Sequence, residues 1–200
     1  MGFLKIVGNA VVKLKGWKQT TQELPKKVII VGAPHTSNWD AIYMLVAVWN
    51  NGRKPHFLIK DSLIKAPILG LLLKKLGGIP VDRSGGSGLV DAMVKEMKSS
   101  EDFILAITPK GTRSKRDYWK SGFYKMAIET GLPIQFGFVD SQTKTFGWAG
   151  TYKLTGDVNK DMDVIREFYA DKKGVRPHLG SIPRLRAEDD ENARAYLLGN

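Results

Sequence analysis

The sequence predicts one α/β domain built on a mostly parallel central sheet flanked by helices on both faces, with an N-terminal amphipathic helix. Two patterns predict this class. Short apolar runs rich in β-branched residues alternate with segments of about 10–15 residues that have helical periodicity. The length of 200 residues also fits a single domain. We therefore assign residues 1–24 to an N-terminal membrane-interface helix and residues 25–200 to one domain.

The elements follow in order along the chain. Strands are predicted at 28–33, 57–60, 79–81, 103–108, 133–139 and 146–154, the last two joined as a hairpin. Helices are predicted at 39–49, 61–76 (adjusted around Pro67), 87–99, 119–130, 161–172 and 191–198. Pro80 favours an edge position for its strand, because proline donates no hydrogen bond to a ladder. Gly131 is a typical helix terminator.

Charge is the unusual feature of the composition. The formal net charge is +11, with 31 Lys and Arg against 20 Asp and Glu. The excess lies in residues 1–156, which carry 23 basic and 11 acidic side chains. This balance predicts an acidic partner, such as nucleic acid, anionic lipid or an acidic carrier protein. The absence of cysteine excludes disulfides, a thiolate zinc site and a cysteine nucleophile.

The N-terminal helix is amphipathic. Apolar side chains fall on one face: Phe3, Leu4, Val7, Val11 and Leu14. Lysines crowd the other side, at positions 5, 13, 15 and 18. The pattern is typical of a helix lying in a membrane interface, and equally of a helix packed on its own domain. No apolar run approaches the roughly 20 residues that span a bilayer, and no cleavable signal peptide is predicted.

The first polar loop follows the strand at 28–33 and contains His35 and Asp40. Because Asp40 begins a helix, its carboxylate can fold back to accept the Nδ1 proton of His35, which would leave Nε2 as a free base. The alternative is a loop histidine beside an acid that the helix dipole favours. The spacing alone leaves both interpretations open.

Two further polar loops follow strands. The loop after residues 79–81 carries Arg83 in a glycine-rich segment. The loop after residues 103–108 carries Lys110, Gly111, Thr112, Arg113 and Ser114. Arginine forks and backbone amides at Gly111 and Thr112 suit a phosphate, although a charged loop is also often merely solvated. Because strand ends of a parallel sheet share one edge, the three loops are predicted to converge.

These blocks resemble the glycerolipid acyltransferase (lysophosphatidate acyltransferase) superfamily. His35 with Asp40 five residues later is similar to the family's first motif, HX4D. GIPVDR at 78–83 resembles the second, whose arginine helps to bind the acceptor phosphate, and TPKGTRS at 108–114 the third. LPI at 132–134 resembles the fourth. Two positions depart from the pattern: Lys110 stands where the family has Glu, and the second proline of the fourth block is missing.

The resemblance implies an O-acyltransferase that moves a fatty acyl chain from a thioester to the hydroxyl of a lysophospholipid or similar lysolipid. His35 would act as general base and Asp40 would orient it. The substrate would be held by Arg83, Lys110, Gly111, Thr112, Arg113 and Ser114. No metal or cofactor is implied beyond the acyl-CoA or acyl-carrier-protein co-substrate. The expected partners are an anionic membrane surface, a lysolipid and an acyl carrier protein, with a peripheral position on the cytoplasmic, inner face of the membrane.

Within this hypothesis, the apolar residues of 64–76 are expected mostly to pack in the core, with an acyl tunnel or bilayer contact as alternatives. Two other functions compete. One is a hydrolase that adds Ser84 or Ser114 to His35 and Asp40. The other is a non-catalytic basic protein that binds membrane or nucleic acid, including an acyltransferase that has lost activity through the change at Lys110. Nucleic acid is not expected as a partner, because the tryptophans are scattered and form no stacking platform.

Overall fold

The computed structural model describes residues 2–81 and 88–199. In that part of the chain the helices are α1 (Gly2–Leu14), α2 (Asn38–Asn50), α3 (Asp61–Ile64), α4 (Pro67–Lys75), α5 (Gly88–Ser99), α6 (Gly122–Thr130), α7 (Val158–Tyr169) and α8 (Glu191–Leu198). The strands are β1 (Lys18–Thr20), β2 (Lys27–Ala33), β3 (Pro55–Lys60), β4 (Gly78–Val81), β5 (Phe103–Ile107), β6 (Ile134–Asp140) and β7 (Thr145–Tyr152).

The strands form one sheet in the order β1-β7-β6-β2-β5-β3-β4. Neighbours are parallel except β6 and β7, which pair antiparallel as the predicted hairpin requires. The strand that contains Pro80 lies at one edge, as predicted. The other edge is β1, which the sequence does not predict because its three residues are polar. The predicted α/β class with a mostly parallel sheet is confirmed.

Two apolar cores lie on opposite faces of the sheet. Side chains of a strand point alternately to its two faces. In β2, Ile29 and Val31 therefore enter one core, while Val28 and Ile30 enter the other. The first core takes buried side chains from α5, α6, α7 and α8, and the second takes them from α1 and α2. Helices thus cover both faces of the sheet and hold β2, which leads into the first polar loop, at the centre.

Helix α1 packs on the domain and also presents apolar side chains to solvent. Val12 is buried in the second core. The side-chain amides of Asn9 and Asn50 exchange hydrogen bonds of 2.8 and 2.7 Å, which tie α1 to the end of α2. On its other side Ile6 and Leu14 are exposed, Leu14 to 87%. Packing on the domain and contact with a membrane are therefore compatible for this helix, because the two would use different side chains.

The expectation that the apolar residues of 64–76 pack in the core is wrong for α4. Its exposed apolar side chains are Ile68, Leu69, Leu71 and Leu72. The one buried residue of the helix is Gly70, which meets the carbonyl of Ile64 at the turn from α3. A Cβ at position 70 would lie 1.9 Å from that oxygen, so the packing of α3 on α4 requires glycine. None of the described helices combines the length and apolarity needed to cross a membrane.

Candidate active site

The first and third polar loops leave the sheet side by side. Strands β2 and β5 are parallel neighbours, with Val31 opposite Ile107 near their carboxyl ends. The loop with His35 and the loop with Lys110 therefore emerge at the same edge of the sheet, as their positions after two strands predict. The predicted Arg83 lies outside the described residues.

The local sequence of α2 explains why Asp40 folds back into the loop. Ser37 is the N-cap of the helix and Asp40 is its third residue, a capping box. The Oδ2 atom of Asp40 accepts hydrogen bonds from the backbone amides of Thr36 and Ser37, the latter at 2.8 Å. Asp40 is 5% exposed. The carboxylate is thus fixed beneath the loop by the start of its own helix.

His35 and Asp40 are neighbours without a hydrogen bond. His35 Nδ1 lies 3.7 Å from Asp40 Oδ2, beyond hydrogen-bond distance. The predicted bond is absent in this structure, and Oδ2 accepts the two backbone amides instead. Within the described residues, His35 Nδ1 and Asp40 Oδ1 are both buried and have no hydrogen-bond partner. A buried polar atom without a hydrogen bond destabilises the folded state. Here one such atom belongs to His35 and the other to Asp40.

Burial and charge set the protonation of this pair. Burial, Lys110 and Arg113, in that order, lower the pKa of His35 to about 4. Burial raises the pKa of Asp40, although the amides of Thr36 and Ser37, the charge of Lys110 and the amide of Val175 act in the opposite direction. At neutral pH the imidazole is therefore uncharged and able to accept a proton.

Lys110 is buried beside the pair. Its side chain is 5% exposed, and Nζ donates a 2.8 Å hydrogen bond to the carbonyl of Leu179. Burial lowers the pKa of Lys110, while the charge of Asp40 raises it. The residue that departs from the family pattern is thus placed to act electrostatically on both His35 and Asp40.

The charge of Lys110 gives a direct prediction. Lys110→Met removes a cation that opposes protonation of His35, so the pKa of His35 should rise above about 4. Lys110→Glu should raise it further, because an anion favours the imidazolium. NMR titration of the His35 ring proton measures both shifts. Lys115→Glu, an exposed charge change in the same loop, is the matched control. Identical titrations in all four proteins would refute the electrostatic role of Lys110.

The other residues of the third loop divide into structural and cavity-lining positions. Gly111 has a φ of +67°, which favours glycine, and its amide bonds the carbonyl of Thr108 at 3.0 Å. That amide is therefore engaged inside the loop, contrary to the predicted phosphate cradle. The Thr112 hydroxyl accepts a 3.3 Å bond from the amide of Ser114, whose side chain is exposed. Of these residues, Arg113 lines the cavity at the start of α2.

A cavity of about 180 Å³ lies at the start of α2, where its lining includes residues between His35 and Asp40 in the chain but neither of those two. It is lined by Ser37, Asn38, Trp39, Arg113 and Arg176. Arg176 is absent from the predicted site, and no motif around it could have identified it. A larger groove of about 570 Å³ lies along α5 and holds none of the predicted site residues.

Arg176 belongs to a segment that closes over the site, residues 173–181, here called the C-terminal strap. The amide of Arg176 donates a 3.0 Å hydrogen bond to the hydroxyl of buried Thr36, next to His35. Gly174 packs so closely that a Cβ there would lie 2.4 Å from the same hydroxyl. The Leu179 carbonyl accepts the hydrogen bond from Lys110 Nζ. The strap is therefore anchored to both site loops.

Residues 17–135 match the family model "Acyltransferase". This region includes the parallel core of the sheet, His35, Asp40 and the whole third loop. The chain belongs to the acyltransferase family, and the predicted membership of the glycerolipid acyltransferase superfamily is confirmed.

Curated relatives match more than half of the chain. The lysophospholipid acyltransferase LPEAT1 of Arabidopsis thaliana is 29% identical over 124 residues, 58% of this chain and 30% of that protein. The 1-acyl-sn-glycerol-3-phosphate acyltransferase of Borreliella burgdorferi is 32% identical over 57% of this chain and 46% of its own length. That of Streptococcus pneumoniae is 29% identical, with coverages of 54% and 40%. The chain spans less than half the length of each of these relatives.

A solved structure shares the fold. The 1-acyl-sn-glycerophosphate (LPA) acyltransferase PlsC from Thermotoga maritima superposes with a TM-score of 0.58. The alignment covers 82% of this chain and 75% of that one, at 17% sequence identity. Similarity at this level of identity extends to the fold alone.

Proposed function

We propose that this chain is a 1-acylglycerol-3-phosphate acyltransferase-like enzyme that transfers a fatty acyl chain from a thioester to the hydroxyl of a lysolipid. The observation that carries the proposal is the buried pair of His35 and Asp40 beside a cavity lined by Arg113. Family membership and the names of the relatives support the same chemistry.

In the proposed reaction, His35 Nε2 takes the proton of the acceptor hydroxyl as its oxygen attacks the thioester carbonyl. The tetrahedral intermediate collapses, the carbon–sulfur bond breaks, and the imidazolium returns its proton to the departing thiolate. An ester and a free thiol are formed, and no acyl-enzyme is needed because the acceptor itself is the nucleophile. Nδ1 keeps its proton throughout and faces Asp40.

Asp40 has a specific electrostatic task in this scheme. Burial and the charges of Lys110 and Arg113 all oppose protonation of His35. The imidazolium must therefore be stabilised at the moment of proton transfer, and the carboxylate 3.7 Å from Nδ1 is the anion placed to do so. A modest approach of Nδ1 to the unpartnered Oδ1 would satisfy both orphaned atoms, in keeping with catalytic hydrogen bonds that tighten only when substrate binds.

Exposed apolar side chains on two helices support contact with a membrane. α1 presents Ile6 and Leu14, and α4 presents Ile68 and Leu71, with Lys74 and Lys75 in the last turn of α4. Apolar side chains next to lysines fit an anionic lipid surface. We infer a peripheral membrane position, with the inner face as the expected side because the acyl-CoA and acyl-carrier-protein donors are found there.

Vesicle sedimentation measures this membrane contact. Replacing Ile68 or Leu71 by Asp should lower the partition coefficient on phosphatidylglycerol vesicles about tenfold or more, because a fully buried aliphatic side chain contributes about 1.5–3 kcal/mol. The same change at Leu14 tests α1. Binding of the wild type should also weaken as salt rises. Tyr196→Asp, an exposed site on α8 across the sheet from α1, serves as control. Equal partitioning of all variants would contradict the assignment.

The hydrolase alternative requires a serine beside His35. Ser114 is exposed and its amide bonds Thr112 within the third loop. Ser84 lies outside the described residues. The inactive-protein alternative rests on Lys110. Burial of His35, with the charges of Lys110 and Arg113, lowers the pKa of His35 to about 4, so the imidazole is uncharged at neutral pH and able to accept a proton. Neither alternative gains support from the described residues of the site.

One assay tests the proposed function. Purified protein is incubated with acyl-CoA or acyl-acyl-carrier protein and with a panel of lysolipids that includes lysophosphatidate, and products are identified by mass spectrometry. We expect an acylated lysolipid whose formation requires both substrates. Release of free fatty acid with no acylated product would favour the hydrolase.

A further inference from the structure

We propose that Arg176 of the C-terminal strap and Arg113 together bind a phosphate group of the substrate. The inference rests on the proposed function and extends it by naming a ligand of the acceptor's head group in addition to Arg113 and the predicted Arg83. Residue 176 lies beyond the region 17–135 that matches the family model. The strap would therefore supply a specificity determinant that the family motifs do not contain.

The first support is geometric. Arg113 leaves the sheet after β5, and Arg176 comes from the strap more than 60 residues later in the chain, yet both line one cavity. The remaining lining residues, Ser37, Asn38 and Trp39, carry no charge. Two guanidinium groups that reach one small space from separate elements suit an anion with several oxygens, because each group offers a planar fork of N–H donors.

The second support is the charge balance. Among the described residues, neither Arg113 nor Arg176 has a carboxylate within 4.0 Å, a property they share with Arg116, Arg186 and Arg194, whereas Arg53 and Arg184 each have one and Arg166 has two. Two like charges that share a cavity repel each other, and a bound anion converts that repulsion into attraction. The described part of the chain thus provides no carboxylate counter-ion for these two exposed arginines, which line the same cavity.

The third support is the anchoring of the strap. The amide of Arg176 is bonded to the hydroxyl of Thr36, and Gly174 is packed against that same side chain. The backbone of residue 176 is therefore fixed next to His35, so that its side chain starts from a defined position. Arg113 lies close enough to His35 to lower the pKa of the imidazole. An anion bound by Arg113 and Arg176 would offset the positive charge of Arg113, raise the pKa of His35 and make the imidazole a stronger base.

The size of the cavity favours the acceptor as the source of the phosphate. Sites for drug-sized ligands and cofactors usually measure about 300–1,000 Å³. The observed 180 Å³ accommodates a phosphomonoester head group and is small for the nucleotide portion of coenzyme A. The ligand class is therefore a phosphomonoester on a short polyol, with its neighbouring hydroxyl directed toward His35.

Kinetics with matched acceptors distinguishes the two phosphate sources. Arg176→Ala should raise the KM for lysophosphatidate roughly 10- to 100-fold, the range expected for lost charge-assisted hydrogen bonds. The KM for the thioester, and the rate with a monoacylglycerol that lacks phosphate, should stay unchanged. Arg176→Lys keeps the charge but loses the planar fork of donors, so its KM for lysophosphatidate should lie between those of the wild type and Arg176→Ala. Arg186→Ala removes an exposed arginine farther along the chain and is the control.

Three kinetic results would overturn the inference. They are an unchanged KM for lysophosphatidate in Arg176→Ala, an equal rise with monoacylglycerol, and a rise confined to acyl-CoA, which would assign the arginines to the donor. In each case wild-type transfer activity would persist, so the proposed function would stand.

A binding measurement covers the case in which the wild type transfers no acyl chain. Glycerol 3-phosphate titrated into the wild type should raise the pKa of His35 in NMR spectra, while glycerol should leave it unchanged. Arg176→Ala should need roughly 10- to 100-fold more glycerol 3-phosphate for the same shift. Arg186→Ala should titrate as the wild type does. No response in the wild type, or the same response in Arg176→Ala, would refute phosphate binding at this cavity.

Discussion

His35→Ala is expected to lower kcat/KM for acyl transfer about 10²- to 10⁴-fold, the contribution typical of a positioned general base. The imidazole lies at the end of β2 in a loop, and its Nδ1 makes no hydrogen bond within the described residues. Its removal should therefore leave the free energy of unfolding nearly unchanged. His178→Ala, an exposed histidine in the strap, is the matched control and should retain full activity.

The pH dependence adds a signature that a structural role would not produce. Because burial, Lys110 and Arg113 lower the pKa of His35 to about 4, the free base is present throughout the neutral range. The wild-type kcat/KM should be level near neutral pH and fall as the pH drops through about 4. The residual rate of His35→Ala should lack this limb. Full activity in His35→Ala, or the same limb in both proteins, would remove His35 from the mechanism.

Asp161→Asn is expected to cause the largest loss of stability, about 3 kcal/mol or more. Asp161 is fully buried at the first turn of α7. Its carboxylate accepts hydrogen bonds from the hydroxyls of Tyr124 (2.6 Å) and Tyr152 (2.8 Å), from the amide and hydroxyl of Thr155, and from the amide of Gly156. An asparagine would turn an NH₂ group toward these donors and leave several unsatisfied.

Urea unfolding of the wild type and Asp161→Asn measures this loss in the free energy of unfolding. Asp163→Asn is the control, since Asp163 is an exposed residue of the same helix in a surface pair with Arg166 and should cost less than about 1 kcal/mol. Equal midpoints for Asp161→Asn and Asp163→Asn would show that the buried network contributes nothing.

Acid should diminish the contribution of Asp161. Burial raises the pKa of its carboxyl, but the hydrogen bonds from Tyr124, Thr155 and Tyr152 outweigh burial and leave the pKa below the ordinary 3.8. A lowered pKa in the folded state means that the stabilisation is complete above the unfolded value and is lost as pH falls through the folded one. The stability difference between wild type and Asp161→Asn should therefore shrink below about pH 4.

Most of the sheet can be predicted from the sequence because buried parallel strands consist of apolar, β-branched runs. Strand β1 is the exception. Its residues KQT have no strand signature, and they join the sheet through backbone pairing with β7. That pairing requires glycine at 147, where a Cβ would lie 1.7 Å from the carbonyl of Thr20. Such an element is defined by its partner and not by its own composition.

The candidate site also contains residues that the sequence predicts and one that it does not. His35, Asp40, Lys110 and Arg113 could be predicted because each lies in a short motif at the end of an apolar strand. Arg176 could not, since its position depends on how the strap folds back on Thr36, a long-range contact without local pattern. The exposure of α4 was also beyond prediction, because an apolar run has the same composition whether it meets a core or a membrane.

In the proposed reaction, His35 directs an acyl chain from a thioester to a lysolipid hydroxyl. The most direct measurement is thiol release, followed with and without lysophosphatidate in wild type and His35→Ala, with the acylated product counted in the same samples. We predict one thiol per acylated lysolipid, release only when the acceptor is present, and nearly none in His35→Ala. Acceptor-independent thiol release matched by free fatty acid, or equal release by His35→Ala, would contradict the account.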